Sequence, residues 1–198
     1  LILDDSSTDN SVELARKIKD YIGEYVPIRL INNTKNQGTF KQWEKGFIKS
    51  KYEYVWIAEA DDFCNDKFLE NTLKPMIGDN DVILSYVDTA FISADGLFMG
   101  SIKPHIDYQM SGHWDSNYIN DGIDEIKNYS YLNNTISNVS SVVFRKTSNI
   151  DYSELFKDAR DYRQAGDWVF YVNYMVYGKV AYTDRSLNYY RQHGNNVS

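Results

Sequence analysis

Three acidic residues follow directly on a short apolar run near position 60. The run from Tyr54 to Ala58 is rich in residues that favour strands, which predicts a buried β-strand. Glu59, Asp61 and Asp62 come next. Ligands bind at the carboxyl ends of strands in α/β sheets, and carboxylates together with substrate phosphates hold Mg²⁺ or Mn²⁺. The pattern predicts a metal–diphosphate site; a solvated acidic turn in which Asp62 caps the next helix is the alternative.

Two adjacent aspartates, Asp4 and Asp5, follow another apolar run at the start of the chain. Carboxylates in this position can accept hydrogen bonds from a nucleobase or a ribose, and they can equally cap a helix. The acids of an aspartyl phosphotransferase, a nucleophile and an acid/base, lie two positions apart. Because Asp4 and Asp5 are adjacent, the sequence argues against that class.

A polar turn with Asn36, Gly38 and Lys41 precedes a predicted helix. The N-terminus of a helix after a glycine turn can face an anion, and Lys41 could add its charge. An ordinary tight turn explains the same residues.

Two further motifs lie late in the chain. Asp167 opens an apolar helix, where it is either a helix cap or a general base held by a rigid element. Arg191 and His193 project from the same side of a predicted strand end. They could reach a phosphate or a metal, or they could be a plain surface pair.

Strands and helices alternate through the first half of the sequence, which predicts a largely parallel sheet with helices on its faces. We expect the third helix to stop at Pro75, a hairpin around 93–96 and a long polar loop over 101–120. The predicted helices are 11–22, 39–50, 66–73, 121–129 and 167–177, and the predicted strands are 28–31, 54–58, 81–86, 139–144, 180–182 and 187–191.

Composition narrows the classes of protein. A chain of 198 residues that is 42% hydrophobic can bury one core, so we expect one domain. The net charge of −7 argues against a nucleic-acid partner held by a basic surface. The single cysteine, Cys64, excludes an internal disulfide and fits a reducing compartment. No stretch is long and apolar enough to predict a transmembrane span.

Taken together, the motifs resemble the family 2 glycosyltransferases of the GT-A fold over nearly the whole chain. Five segments resemble family motifs and occur in the family's order: Leu1–Asp9, Asn36–Gly38, Glu59–Asp62, Gly166–Trp168 and Tyr190–His193. The segment Asn138–Arg145 also resembles the acceptor-side strand of bacterial surface-polysaccharide members. The chain departs from the family at three positions. Glu59 stands where the family usually has Asp, Gly166 where many members have Glu, and Trp43 where many members have Arg. The family's first strand and first helix have no counterpart here.

The resemblance implies a single domain over 1–198 with a Rossmann-like, mixed and mostly parallel sheet flanked by helices. It implies an inverting transferase that moves a sugar from a nucleoside-diphosphate sugar, UDP- or dTDP-linked, to a glycan or lipid-linked glycan in bacterial surface-polysaccharide synthesis. By the same resemblance, Asp167 is the general base, Asp61 and His193 bind Mn²⁺ or Mg²⁺, and the nucleotide-sugar-binding residues are Asp4, Asp5, Asn36, Gly38, Lys41, Glu59, Ala60, Asp62 and Arg191.

The implied location is the cytoplasm or the inner face of the cell membrane, within a longer polypeptide. A degenerate, non-catalytic module that binds a nucleotide or a glycan is the alternative function. A metal-dependent phosphatase is a third.

Overall fold

Strands and helices largely alternate through the first half of the chain, as the sequence predicts. The computed structural model describes residues 1–107 and 112–193. The strands are β1 (Ile2–Asp4), β2 (Leu30–Asn32), β3 (Tyr54–Trp56), β4 (Phe63–Cys64), β5 (Val82–Ile92), β6 (Phe98–Ser101), β7 (Tyr118–Asp121), β8 (Val142–Arg145) and β9 (Lys179–Arg191). The helices are α1 (Ser11–Ile22), α2 (Thr39–Lys49), α3 (Phe68–Gly78), α4 (Lys103–Ile106), α5 (Gly122–Glu125), α6 (Tyr152–Leu155) and α7 (Gly166–Met175).

Two sheets organise these elements. β1 and β2 form a parallel pair, and the other strands form a second sheet with the order β3-β8-β5-β9-β4, to which β6 and β7 add beside β5 and β9. The long pairing of β5 with β9 is parallel, while β3, β4, β6, β7 and β8 pair antiparallel to their neighbours. The sheet is therefore mixed, and the predicted α/β class is confirmed.

Aromatic packing fixes α2 and α7 on the larger sheet. Phe47 of α2 lies 5.3 Å from Phe144 of β8 and 5.6 Å from Phe170 of α7, between ring centroids, and all three side chains are fully buried. Burial of a large apolar side chain stabilises the fold by about 1.5–3 kcal/mol. The two helices that begin at predicted site residues are consequently held by the same core.

Two local predictions, for the end of the third helix and for the last two strands, are wrong. The third helix continues through Pro75 to Gly78, because buried Phe68 and Met76 hold both ends of α3 against the sheet and outweigh the lost backbone hydrogen bond. The two predicted strands at 180–182 and 187–191 are one strand, β9, which stays paired with β5 across register shifts near Asp88.

The predicted loop over 101–120 contains the end of β6, the short helix α4 and the start of β7; its residues 108–111 lie outside the described part of the chain. The predicted strand at 139–144 begins only at Val142, after a 3₁₀ turn over Val139–Ser141. None of the helices within residues 1–107 and 112–193 is long and apolar enough to cross a membrane.

Candidate active site

One cleft of about 1520 Å³ contains most of the predicted site residues. Those that line it are Asp5, Asn36, Gly38, Glu59, Ala60, Asp61, Asp167 and His193. Part of the volume lies between β1 and β3, where Leu3 and Val55 also line the cleft. In the described residues β1 pairs with β2 and β3 pairs with β8, so β1 and β3 belong to different sheets. The volume of the cleft therefore includes the gap between these two strands and is larger than a ligand pocket alone.

The first acidic turn, Asp4 and Asp5, is held by hydrogen bonds within the protein. The Asp5 carboxylate accepts from the backbone N–H of Gln37 at 2.9 Å and of Gly38 at 2.8 Å, and from the Asn33 amide at 2.7 Å. The Gln42 amide also donates to it. Burial alone raises the pKa of Asp5, but these donors outweigh it and hold the pKa below its ordinary value.

Asp4 closes its own turn, since its Oδ2 accepts from the backbone N–H of Ser6 at 3.1 Å and of Ser7 at 3.2 Å. Gly38 has a positive φ of 91°, a conformation that side chains rarely adopt, and this conformation accompanies the turn that directs its N–H to Asp5. The predicted pair of Asn36 and Gly38 is thus joined to Asp5. Within the described residues the Asp4 carboxylate accepts only from these two nearby N–H groups, whereas the Asp4 backbone carbonyl accepts from the Asn33 N–H at 2.9 Å.

The second acidic turn, Glu59 to Asp62, has the opposite electrostatics. The Glu59 backbone N–H donates to Ser140 Oγ at 3.0 Å, which fixes the chain at the end of β3. Burial, together with the negative charges of Asp62, Asp61 and Asp167, raises the pKa of Glu59 to about 7. The charge of Asp167, which lines the same cleft, therefore acts on the second acidic turn.

Asp61 and His193 form a pair at the rim of the cleft. Asp61 Oδ2 lies 2.9 Å from His193 Nε2, and the two side chains are 42% and 30% exposed. Both side chains are partly accessible to solvent, so an incoming cation or phosphate can reach this pair.

The side chains of Asp62 and Arg191 make hydrogen bonds that hold the second acidic turn in place. Asp62 accepts from the Asn138 amide at 2.8 Å and from the Arg191 backbone N–H at 3.1 Å. The Arg191 guanidinium donates to the backbone carbonyls of Asp61 at 2.9 Å and Ala94 at 2.7 Å. These contacts tie the second acidic turn to the end of β9 and to the hairpin after β5, and neither side chain is among those that line the cleft.

Lys41 also lies apart from the cleft. Its side chain is exposed and lines a small groove of about 290 Å³ together with Glu44 and Arg160. The structure thus gathers the first acidic turn, the second acidic turn and Asp167, but not Lys41.

Asp167 lies in the first turn of α7, as predicted. The residue before the helix, Ala165, is left-handed with φ of 59°, and a Cβ on Gly166 would lie 2.5 Å from a ring carbon of Phe40. This close approach explains a glycine at position 166. Burial raises the pKa of Asp167, and hydrogen bonds from the Trp168 backbone and the Asn134 amide partly offset it.

The model of the family described as glycosyl transferase family 2 matches residues 1–141, which cover more than half of the chain. The chain belongs to glycosyl transferase family 2. A glycosyltransferase of Haemophilus influenzae, itself uncharacterized, is 28% identical over 96 residues, which are 48% of this chain and 37% of that protein.

Two solved glycosyltransferase structures share the fold of this family 2 chain. S. aureus TarS, crystallised as residues 1–349, has a TM-score of 0.66 at 15% identity, over 96% of this chain and 50% of its own. GalNAc-T7, crystallised with UDP, GalNAc and Mn²⁺, has a TM-score of 0.58 at 11% identity, over 98% of this chain and 37% of its own. The chain spans half or less of each of these proteins. At such identities the likeness shows the GT-A-type fold, as the resemblance implied.

Sequence reasoning missed the residues that hold the acidic groups. Asn33 and Gln42 bind Asp5, and Asn134 binds Asp167 at 2.8 Å. Each lies between 28 and 37 positions from its partner, so no local spacing relates them. The sequence places Asn138 in a segment that resembles an acceptor-side strand, whereas in the structure its side chain donates to Asp62.

Proposed function

We propose that this chain is the catalytic part of an inverting glycosyltransferase that uses a nucleoside-diphosphate sugar. The observation that carries the proposal is that Asp167 lines the same cleft as Glu59 and Asp61, close enough for its charge to raise the pKa of Glu59. The acids of the second turn suit a cation-bound diphosphate, and the separate carboxylate of Asp167 suits an acceptor hydroxyl.

A divalent cation fits the residues present. Asp61 Oδ2 and His193 Nε2 supply oxygen and nitrogen donors 2.9 Å apart, beside the charge of Glu59. Within the described residues no group of three or more His, Cys, Asp or Glu side chains is arranged to hold a metal. Two protein ligands with the other positions filled by substrate oxygens are typical of Mg²⁺ and Mn²⁺. When bound, the ion would neutralise charge on the departing nucleoside diphosphate.

Asp167 acts as the general base in this proposal. Its carboxylate accepts the proton of the acceptor hydroxyl as that oxygen bonds to the anomeric carbon, and the bond from this carbon to the diphosphate oxygen breaks. General base catalysis contributes about 10²- to 10⁴-fold to a rate. Asp5 contributes by holding the turn of Gln37 and Gly38, and Arg191 by holding the backbone of the second acidic turn.

The proposed donor is a UDP- or dTDP-linked sugar, and the proposed acceptor is a glycan or lipid-linked glycan of a bacterial cell surface. UDP and Mn²⁺ are the probes of choice, because GalNAc-T7, which shares the fold, was crystallised with both. The proposed place of reaction is the cytoplasm or the inner face of the membrane.

The test combines binding and turnover. Calorimetry with UDP, with and without Mn²⁺, should show Mn²⁺-dependent binding to the wild-type chain. A screen of UDP- and dTDP-sugars for Mn²⁺-dependent hydrolysis should identify a donor. Asp167→Asn should keep UDP binding within about twofold and lose about 10²-fold or more of the turnover.

Turnover that survives in Asp167→Asn would contradict the role of the base. Binding of UDP with no hydrolysis of any donor would favour the non-catalytic module instead. The absence of UDP and dTDP binding, with and without Mn²⁺, would contradict the proposal as a whole.

A further inference from the structure

Asn134 is the side chain that contacts the Asp167 carboxylate from outside its own helix. Asn134 Nδ2 donates to Asp167 Oδ2 at 2.8 Å. The other end of the same amide, Oδ1, accepts from the backbone N–H of Ile136 at 3.3 Å. Because one end of the amide is held as an acceptor, its NH₂ end is directed to the carboxylate.

The loop that carries Asn134 is itself anchored. Thr135 and Ile136, the next two residues, are buried, and the hydroxyls of Ser130 and Thr135 lie 3.2 Å apart within the core. Asn134 also lines the cleft together with Asp167. A donor fixed in this way restricts the rotation of the carboxylate that it binds.

We propose that Asn134 is a positioning residue, which orients the Asp167 carboxylate toward the acceptor hydroxyl. This inference rests on the proposed function, since it assumes that Asp167 is the base. A donor to a carboxylate also favours its ionised form, the form that a general base needs. Burial acts in the opposite direction at Asp167, so the Asn134 donor offsets part of the cost of a partly buried charge.

Other charged and titratable groups face the same carboxylate. Glu59 lines the same cleft, and the Tyr171 phenol lies one helical turn along α7; the charge of Asp167 acts on both groups. Asp61, Arg163 and His193 line the same cleft. Any titration must therefore compare variants in which these groups are unchanged.

Asn134→Asp is the discriminating variant. Aspartate has nearly the same shape, and its Oδ1 can still accept from the Ile136 N–H, so the loop keeps its turn. The ionised group cannot donate to Asp167 and adds a like charge beside it. Asn133→Asp is the matched control: it introduces the same charge one position away, where the Asn133 amide donates to the His105 carbonyl at 3.4 Å and not to Asp167.

The first measurement is independent of activity. Carbon-13 NMR of the aspartate carboxyl carbons, with the Asp167 signal assigned by its loss in Asp167→Asn, gives the pKa of Asp167 in each variant. We expect Asn134→Asp to raise this pKa by about one unit or more and Asn133→Asp to change it by less than about 0.3 unit. Asn134→Ala, which adds no charge, should raise it by about one unit. Equal pKa values in wild type, Asn134→Asp and Asn134→Ala would overturn the inference.

The second measurement uses Mn²⁺-dependent hydrolysis of the UDP-sugar that the screen identifies. Asn134→Asp should lower kcat at pH 7 by about tenfold or more and change the donor KM by less than about twofold. The acidic limb of its pH profile should move to higher pH. A fall in kcat equal to that of Asn133→Asp, with an unmoved acidic limb, would overturn the inference.

The experiments can refute the role of Asp167 and the role of Asn134 separately. If Asp167→Asn abolishes turnover but the Asn134 variants leave the pKa of Asp167 and the acidic limb unchanged, Asn134 has no positioning role and the proposed base stands. If Asp167→Asn keeps wild-type turnover, the proposed base is wrong, and the inference about Asn134 falls with it even where the pKa shifts.

Discussion

Both acidic turns follow the end of a strand, but the electrostatic environments of their carboxylates are opposite. In the first, four donors from Asn33, Gln37, Gly38 and Gln42 surround Asp5, and its pKa lies below the ordinary value despite partial burial. In the second, burial and three neighbouring negative charges raise the pKa of Glu59 to about 7.

The difference separates a structural carboxylate from a binding one. A carboxylate surrounded by donors already has its charge stabilised, and its folded state gains from ionisation. Within the described residues Glu59 in the second turn has no such set of donors, so the negative charges beside it destabilise its ionised form, and a cation relieves the repulsion. We therefore expect substitutions in the first turn to affect folding and substitutions in the second to affect ligand binding.

The largest effect is expected at Asp61. Asp61→Asn removes an anionic donor from the proposed cation site while it keeps the shape of the side chain. The affinity for UDP in the presence of Mn²⁺ should fall by about 100-fold, as measured by calorimetry, and the affinity without Mn²⁺ should not change. A Mn²⁺-dependent affinity equal to that of the wild type would show that Asp61 is not a ligand.

The next effect is expected at Asp5. Asp5→Ala leaves its donors without their acceptor, and because the side chain is partly exposed, we expect a loss of only about 1–2 kcal/mol in the free energy of unfolding. The pKa of Asp5 is lowered in the folded state, so the contribution of its charge is present at pH 7 and is lost as the pH falls through the folded pKa.

Urea unfolding of Asp5→Ala at pH 7 and at pH 3 checks this expectation. Asp4→Ala is the control, since in the described residues the Asp4 side chain accepts only from the nearby Ser6 and Ser7, and the substitution should cost less. Equal losses for the two variants would remove the distinction between Asp4 and Asp5.

An effect of similar size and opposite sign is expected at Glu59. Its folded pKa is raised from 4.5 to about 7, so the folded state holds this proton more tightly than the unfolded state, and stability falls as the pH rises through that window. Glu59→Gln should remove this loss. With a chelator present, we expect the variant to be about 1–2 kcal/mol more stable than wild type at pH 8, after allowance for partial exposure, and equal to it at pH 4.

Thermal or urea unfolding at the two pH values makes the comparison for Glu59→Gln. A gain in stability of the same size at both would mean that the shape of glutamine, rather than the lost charge, is responsible. A loss of stability at pH 8 would contradict the electrostatic repulsion that we ascribe to the second acidic turn.

The smallest effect is expected at Lys41. This side chain lies in the groove with Glu44 and Arg160, outside the cleft. Lys41→Ala should therefore leave the Mn²⁺-dependent affinity for UDP within about twofold, as measured by the same calorimetry. A loss of tenfold would mean that the phosphates extend beyond the cleft, toward the start of α2.

Much of the local structure could be predicted because its causes are local. Apolar spacing predicted α1 and α2 nearly to the residue, and strand-forming runs followed by acids predicted where the two acidic turns lie. The prediction that α3 would stop at Pro75 failed, because buried Met76 and Phe68 stabilise the helix from outside. The division of β9 into two strands failed for a similar reason, since pairing along β5 carries the strand through its polar middle.

The sequence by itself determined the family, the order of the elements and the presence of acids at strand ends, because each depends on residues close together in the chain. Only the tertiary structure decided which carboxylate is surrounded by hydrogen-bond donors and which is surrounded by like charges. The donors to Asp5 lie as far as 37 positions along the chain, and Asn134 lies 33 positions before Asp167. Whether a charge is paired depends on groups that folding brings together, and one-dimensional spacing does not contain that information.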